Sequence, residues 1–244
     1  MKVVSTIEAR MRSSRLPGKV LRPAVGKPML ELLIERLRRA RRIDQIVVAT
    51  TGHPSDDAID ELARRLGVGC FRGSEEDVLD RVLRAAQSVG ADLIVEITGD
   101  CPLADPEIID DLVDVYRANS YDYVANVLKR TYPAGLDIQV FATAVLAEVA
   151  RLTQDPADRE HVSLYIYEHP ERYRLHNVES DLPENYWDLR LTLDTPEDYE
   201  LLAAVYEELY PRNPAFRLDD VLRLLDRRPD LRALNAEIQD KPVR

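Results

Sequence analysis

Short β-branched runs alternate along the chain with segments whose apolar residues recur every three or four positions. Residues 3–7 read as a buried strand. Leu30, Leu33, Ile34 and Leu37 keep helical spacing, so 28–41 reads as a helix with Pro28 in its first turn. A strand over 46–50 follows. Next comes a helix capped by Ser55, which carries Ile59, Leu62, Ala63 and Leu66 and is ended by Gly67. A short strand over 68–71 precedes a helix capped by Ser74 and carrying Val78, Leu79, Val82, Leu83 and Ala86. A strand over 92–98 and a helix over 106–118 continue the rhythm, which predicts a parallel sheet covered by helices on both faces.

After about residue 120 the rhythm changes. Strands are expected over 121–127 and 137–141, helices near 142–152 and 158–168, a late strand over 188–193, and closing helices near 197–209 and 218–227. No repeat, low-complexity tract or linker interrupts the pattern. The expectation is one α/β domain over 1–244, three-layered and Rossmann-like, with a mixed, mostly parallel sheet and a small insertion.

Composition narrows the class. With 45% hydrophobic and 32% charged residues, 244 residues suit one folded unit of this kind. The most apolar windows, such as 93–97, fall far short of the ~20 residues a membrane span needs. No signal-like apolar region forms before Glu8, so a cytoplasmic location is expected. Cys70 and Cys101 have neither a CxxC partner nor a paired histidine, which argues against a disulfide scaffold or zinc module. The net charge of −11 argues against general nucleic-acid or anionic-membrane binding. It is unevenly spread: residues 1–42 hold 12 Lys/Arg against 3 Asp/Glu, a balance of +9 that leaves −20 on the rest. Arg38, Arg39, Arg41 and Arg42 suit the negative pole of a helix. Arg10, Arg12, Arg15 and Lys19 instead fall in the segment 8–19 after the first strand, at the sheet edge where open α/β folds bind ligands.

That segment is neither a Walker loop nor GxGxxG, yet its chemistry suits a polyphosphate. Small Ala9, Ser13 and Ser14 let backbone N–H groups approach. Arg10 and Arg15 offer forked donors, and Pro17-Gly18 forms a turn presenting Lys19. Two further acids stand at strand ends: Asp100 after 92–98, and Asp194 after 188–193. Two such carboxylates plus substrate phosphates are a common way of holding Mg²⁺. Asp194-Thr195-Pro196 also reads as a helix N-cap with proline at the first position. Cys101, beside Asp100, has no base partner and reads as a turn residue.

The run xARxxSxRLPGK over 8–19 resembles the N-terminal signature of bacterial sugar cytidylyltransferases, including the synthetases that make CMP-activated 3-deoxy-manno-octulosonate. Residues 72–81, 99–103, 132–137 and 193–198 resemble most the spore-coat polysaccharide branch of that family, and the matches run in family order from about residue 3 to 205. Glu8 departs from the pattern, since relatives usually have Pro or Gln there. The resemblance implies a nucleotidyltransferase (GT-A-like) fold with a nucleotide-binding half over 1–120, an acceptor-side segment and last strand over 121–195, and C-terminal helices over 196–244. It implies transfer of CMP from CTP to a sugar or sugar-like acceptor with release of pyrophosphate, for surface or spore-coat polysaccharide synthesis. A homodimer is possible by the same analogy.

In that reading Ala9, Arg10, Ser13, Arg15 and Lys19 bind the nucleotide phosphates, Arg10 and Lys19 stabilise the growing charge, and Asp100 and Asp194 hold Mg²⁺. Gly73 and Ser74 contact the cytosine and ribose. Arg81 either reaches a phosphate or pairs with Asp77 on the helix surface. Tyr132, Gly135, Asp137 and His161 line the acceptor side. Arg190 faces the crevice with Thr192 on the last strand, and Trp187 packs. Two rival classes are a sugar-1-phosphate nucleotidyltransferase using another NTP, which usually carries a Gly-rich loop absent here, and a GT-A glycosyltransferase, which would want a DxD motif where this chain has Gly99-Asp100-Cys101-Pro102. A third is a nucleotide-binding protein without catalysis.

Overall fold

The β-branched runs form the centre of a seven-stranded sheet. The computed structural model describes residues 1–239. Strands β1 (Val3–Glu8), β4 (Gln45–Thr51), β5 (Gly69–Gly73) and β6 (Leu93–Thr98) run parallel. The second half adds β7 (Tyr123–Ala125), β8 (Gln139–Ala142) and β9 (Leu175–Asn177), giving the order β5-β4-β1-β6-β8-β7-β9. Only β8 runs against its neighbours β6 and β7, which makes the sheet mixed but mostly parallel. A separate ribbon pairs β2 (Pro23–Ala24) with β3 (Lys27–Pro28).

Side-chain alternation along the strands divides the core in two. Val3, Ile7, Val48, Val95 and Ile97 face one helical layer, which contains α1 (Met29–Leu37), α4 (Pro106–Ala118), α8 (Pro196–Leu209) and α9 (Leu218–Arg227). Val4, Val47, Ala49, Ile94 and Phe141 face the other, with α3 (Val78–Ser88) and α5 (Thr143–Leu152). α2 (Asp57–Leu66) packs beside β4 and β5 and is closed by Gly67. The α/β three-layer architecture agrees with the hydrophobic pattern. Arg41 and Arg42 meet Asp110 and Asp114 of α4.

Several local expectations are corrected. His53 rather than Ser55 caps the turn before α2, accepting from the Ser55 amide through its ring nitrogen. Asp77, not Ser74, caps α3, because its carboxylate reaches the Asp80 amide; Ser74 only accepts from the Asp77 amide. The helix expected near 158–168 is two short ones, α6 (Pro156–Glu160) and α7 (Leu164–Glu168), broken at His161. α10 (Pro229–Ala233) was not signalled.

Residues 188–193 form no strand of the sheet. Leu189, Leu191 and Leu193 alternate into the core, but the segment makes a single parallel bridge, Ala134 with Arg190. Gly135 explains how closely the two segments run. Its φ is +95°, and a Cβ there would lie 2.4 Å from the Leu191 carbonyl carbon. Gly135→Ala is therefore expected to destabilise the fold by about 3 kcal/mol, from backbone strain plus a clash that no rotamer relieves. A chemical-denaturation midpoint equal to wild type would contradict this close contact.

Candidate active site

The segment after β1 is fixed by backbone bonds before any side chain points into the cleft. The Ala9 amide donates to the Ala49 carbonyl, and the Gly18 amide to Met11. Asp56 accepts from the Met11 amide at 2.8 Å and from both the amide and hydroxyl of Thr51, tying the loop to the end of β4. Burial works against its charge, but the Thr51 hydroxyl and these amides hold its carboxyl below the usual range. Gly18 takes a left-handed conformation (φ +69°) and turns the chain so that Lys19 faces inward.

Asp100 follows β6 directly, and its carbonyl accepts from the Leu193 amide at 2.8 Å. That bond draws 193–194 against the end of β6 although the positions lie far apart in sequence. Lys19 Nζ sits between the two acids, 2.7 Å from Asp100 Oδ2 and 2.8 Å from Asp194 Oδ1. Burial disfavours the ammonium, yet Asp100 and Asp194 outweigh it and hold the lysine above its ordinary pKa. Burial likewise works against Asp100, and Lys19 pulls it below the usual carboxylate range. Arg15 reaches Asp194 at 2.9 Å and Arg190 reaches it at 3.1 Å. Both carboxylates thus converge on one cation position. Among the described residues no group of three His, Cys, Asp or Glu gathers, so a divalent ion there would take its remaining ligands from phosphate and water.

These groups line a cleft of about 600 Å³ that also holds Ala9, Arg10, Ser13, Arg81, Asp137 and His161. Arg81 is buried, with donors on the Ala49, Ser74 and Glu75 carbonyls, so the surface pair with Asp77 does not form. Asp77 faces Arg159 instead, at 3.3 Å. Gly73 and Ser74 do not line the cleft and do not open a helix. Gly73 ends β5, and the following residues 75–77 border a neighbouring pocket with Arg10 and Arg159. Tyr132 lines a separate depression near Arg217. Gly135 is packed against Leu191, as above.

Arg190 stands behind Asp194 and does not line the cleft, although Thr192 does, because its buried guanidinium is drawn onto Asp198 at 3.0 Å. Asp194 is not the helix cap; Thr195 is, in a reciprocal box with Asp198. Asp194 is therefore free of capping. Cys101 is buried against the Thr98 hydroxyl, and burial pushes its thiol well up, in keeping with a turn residue. Trp187 donates to the Leu182 carbonyl.

One pair escaped the sequence reading. The register of β1 on β6 sets Thr6 opposite Glu96 and Glu8 opposite Thr98, so Glu8 and Glu96 project from one face of adjacent strands. Burial pushes the Glu8 carboxyl up to about 7, and burial plus the charge of Glu8 raises Glu96 as well. A lone acid inside the apolar run 93–97 was the available signal.

The pair binds a proton in the folded state that the unfolded chain releases near pH 4.5. Its contribution to stability therefore falls as pH rises from about 5 to 8. Glu96→Gln is expected to gain on wild type across that range, with a melting-temperature difference that grows in its favour. A pH-independent difference would mean that no proton is shared.

Residues 4–216 match the sequence profile of the cytidylyltransferases. The chain is 37% identical over 246 residues to an uncharacterized protein of Methanocaldococcus jannaschii, covering all of this chain and 98% of that one. It is 35% identical to the spore coat polysaccharide biosynthesis protein SpsF of Bacillus subtilis, covering 93% and 95%. The structure of a cytidylyltransferase from Leptospira borgpetersenii superposes with a TM-score of 0.90 at 33% identity, over 99% of this chain and all of that one. A profile match across most of the chain, near full-length relatives and a shared nucleotidyltransferase fold agree: this chain belongs to the cytidylyltransferase family.

Proposed function

We propose that the enzyme transfers CMP from CTP to a sugar or sugar-like acceptor and releases pyrophosphate. The observation carrying this reading is the convergence of Lys19, Asp100 and Asp194 at the floor of a cleft fronted by Arg10 and Arg15. An acceptor oxygen attacks the α-phosphorus in line, forming one P–O bond as the bond to pyrophosphate breaks. Such chemistry depends mainly on positioning and charge stabilisation. Arg10, Arg15 and Lys19 bind the phosphates, with Lys19 and Arg10 countering the charge that grows on the leaving group. Ala9 and Ser13 allow close backbone approach. Asp100 and Asp194 would hold Mg²⁺, which when bound polarises the α-phosphoryl group and lowers the pKa of the acceptor hydroxyl.

Asp137 and His161 flank the acceptor side of the cleft. Arg190 supports Asp194 from behind and Gly135 fixes the path of the wall. The 73–77 loop borders the nucleotide end. The spore-coat relative favours a polysaccharide precursor as acceptor. No helix among the described residues is long and apolar enough to cross a membrane.

The test is pyrophosphate release with each of the four NTPs and a pool of sugar acceptors. CTP is expected to lead by at least about tenfold in kcat/KM, or roughly 1.4 kcal/mol. Preference for another base, or consumption of a nucleotide sugar in place of CTP, would overturn the reading.

A further inference from the structure

We propose that Arg12 is a positioning residue of the nucleotide site: it holds the Glu75 carboxylate back from Arg10 and so leaves Arg10 available to the nucleotide phosphates. The inference rests on the cytidylyl-transfer reading and deepens it, by adding a residue that governs how strongly the site takes a triphosphate. Position 12 is a free position in the run xARxxSxRLPGK, so the motif itself gives Arg12 no role.

The contacts are unequal. Arg12 donates to Glu75 Oε2 at 3.0 Å, whereas Arg10 stands 3.7 Å from Oε1, beyond hydrogen-bond reach. One carboxylate therefore spans two arginines, and its firm bond is to the one that does not line the main cleft. Arg10 lines both that cleft and the neighbouring pocket of about 640 Å³, where Arg12 and Glu75 also stand. A nucleotide phosphate and the Glu75 carboxylate would thus draw Arg10 in opposite directions.

Both lips of this junction are anchored. The buried Arg81 donates to the Ser74 and Glu75 carbonyls, and the Ser74 hydroxyl accepts from the Asp77 amide. The main chain at Glu75 is fixed, while its side chain, 30% exposed, is not packed into the core. Across from it, Asp56 fixes the Met11 amide, one residue before Arg12. Without Arg12 the carboxylate is left with Arg10, to which it can present both oxygens. A nucleotide must then break that pair before it gains the same donor, and binds more weakly for it. All three side chains are partly exposed, so the effect is modest and salt screens it.

The experiment measures CTP binding with Mg²⁺ by titration calorimetry, at about 50 mM and about 500 mM salt. It compares the full-length wild type, Arg12→Met, Glu75→Gln and the double variant, with thermal melts to establish folding. Arg12→Met is expected to weaken binding by about fivefold at the lower salt and by less than about twofold at the higher. In the Glu75→Gln background the same change is expected to matter by less than about twofold, because the competing anion is gone. Arg12→Lys, which keeps the charge, is expected to restore most of the affinity. Arg12→Gln takes the place of Arg12→Met if that variant loses its cooperative melt. An equal loss in both backgrounds would overturn the proposal, since Arg12 would then act on the phosphates and not through Glu75. Unchanged binding by a folded Arg12→Met variant would overturn it as well. Either result leaves cytidylyl transfer standing, whereas a wild type that binds no CTP would overturn the two together.

Discussion

Asp100→Ala is expected to lower CTP-dependent pyrophosphate release by about a thousandfold, close to 4 kcal/mol of transition-state stabilisation. The side chain is one of the two carboxylates that, among the described residues, pair with Lys19 where a divalent ion and the α-phosphate would meet, and the Thr98 hydroxyl and Lys19 ammonium both orient it. Its loss leaves Lys19 paired with Asp194 alone, so the fold survives while charge stabilisation fails. Initial rates of pyrophosphate release, alongside a thermal melt to establish folding, decide the matter. A rate within about threefold of wild type, under 1 kcal/mol, would remove Asp100 from the reaction.

Lys19→Ala should cost about a hundredfold in the same assay, as expected for deleting one fixed charge at a phosphoryl-transfer site. It should also have an opposite effect elsewhere. The ammonium occupies the place where both carboxylates point, at 2.7 and 2.8 Å. A divalent ion entering without nucleotide competes with a tethered cation of raised pKa. Removing that cation is expected to strengthen Mn²⁺ binding in the absence of CTP by at least about tenfold. The free-ion signal in electron paramagnetic resonance measures this without any turnover. Equal or weaker Mn²⁺ binding by the variant would mean that lysine and metal do not share the position.

Much of this was legible from residue types and order. The β1, β4 and β6 strands are β-branched runs without strict apolar–polar alternation, as a sheet covered on both faces requires. Lys19 follows a recognisable turn and Asp100 a recognisable strand, so their meeting could be anticipated. The strand expected before Asp194 does not form, and the bond from the Leu193 amide to the Asp100 carbonyl brings that acid in. The failures have common physical causes. Ser74 and Asp77 both offer a capping oxygen, and sequence alone does not say which one finds an amide. Residues 188–193 alternate like a strand because they bury alternate leucines, but alternation reports burial and not ladder pairing. Glu8 and Glu96 lie 88 positions apart and meet only through the register of two parallel strands. Gly135 looked like a site residue because of its motif, whereas its space is filled by the Leu191 backbone.

Asn235, close to the end of the described chain, is buried and donates to the Arg190 carbonyl at 2.9 Å and to Asp198 at 2.8 Å. Asp198 in turn fixes the guanidinium of Arg190, and that guanidinium holds Asp194. A relay of three side chains therefore connects Asn235 to Asp194 at the floor of the cleft. Trimming the protein back to the stretch that defines its kinship, which stops at residue 216, would leave the recognisable signature intact and withdraw the brace behind one of its two acids.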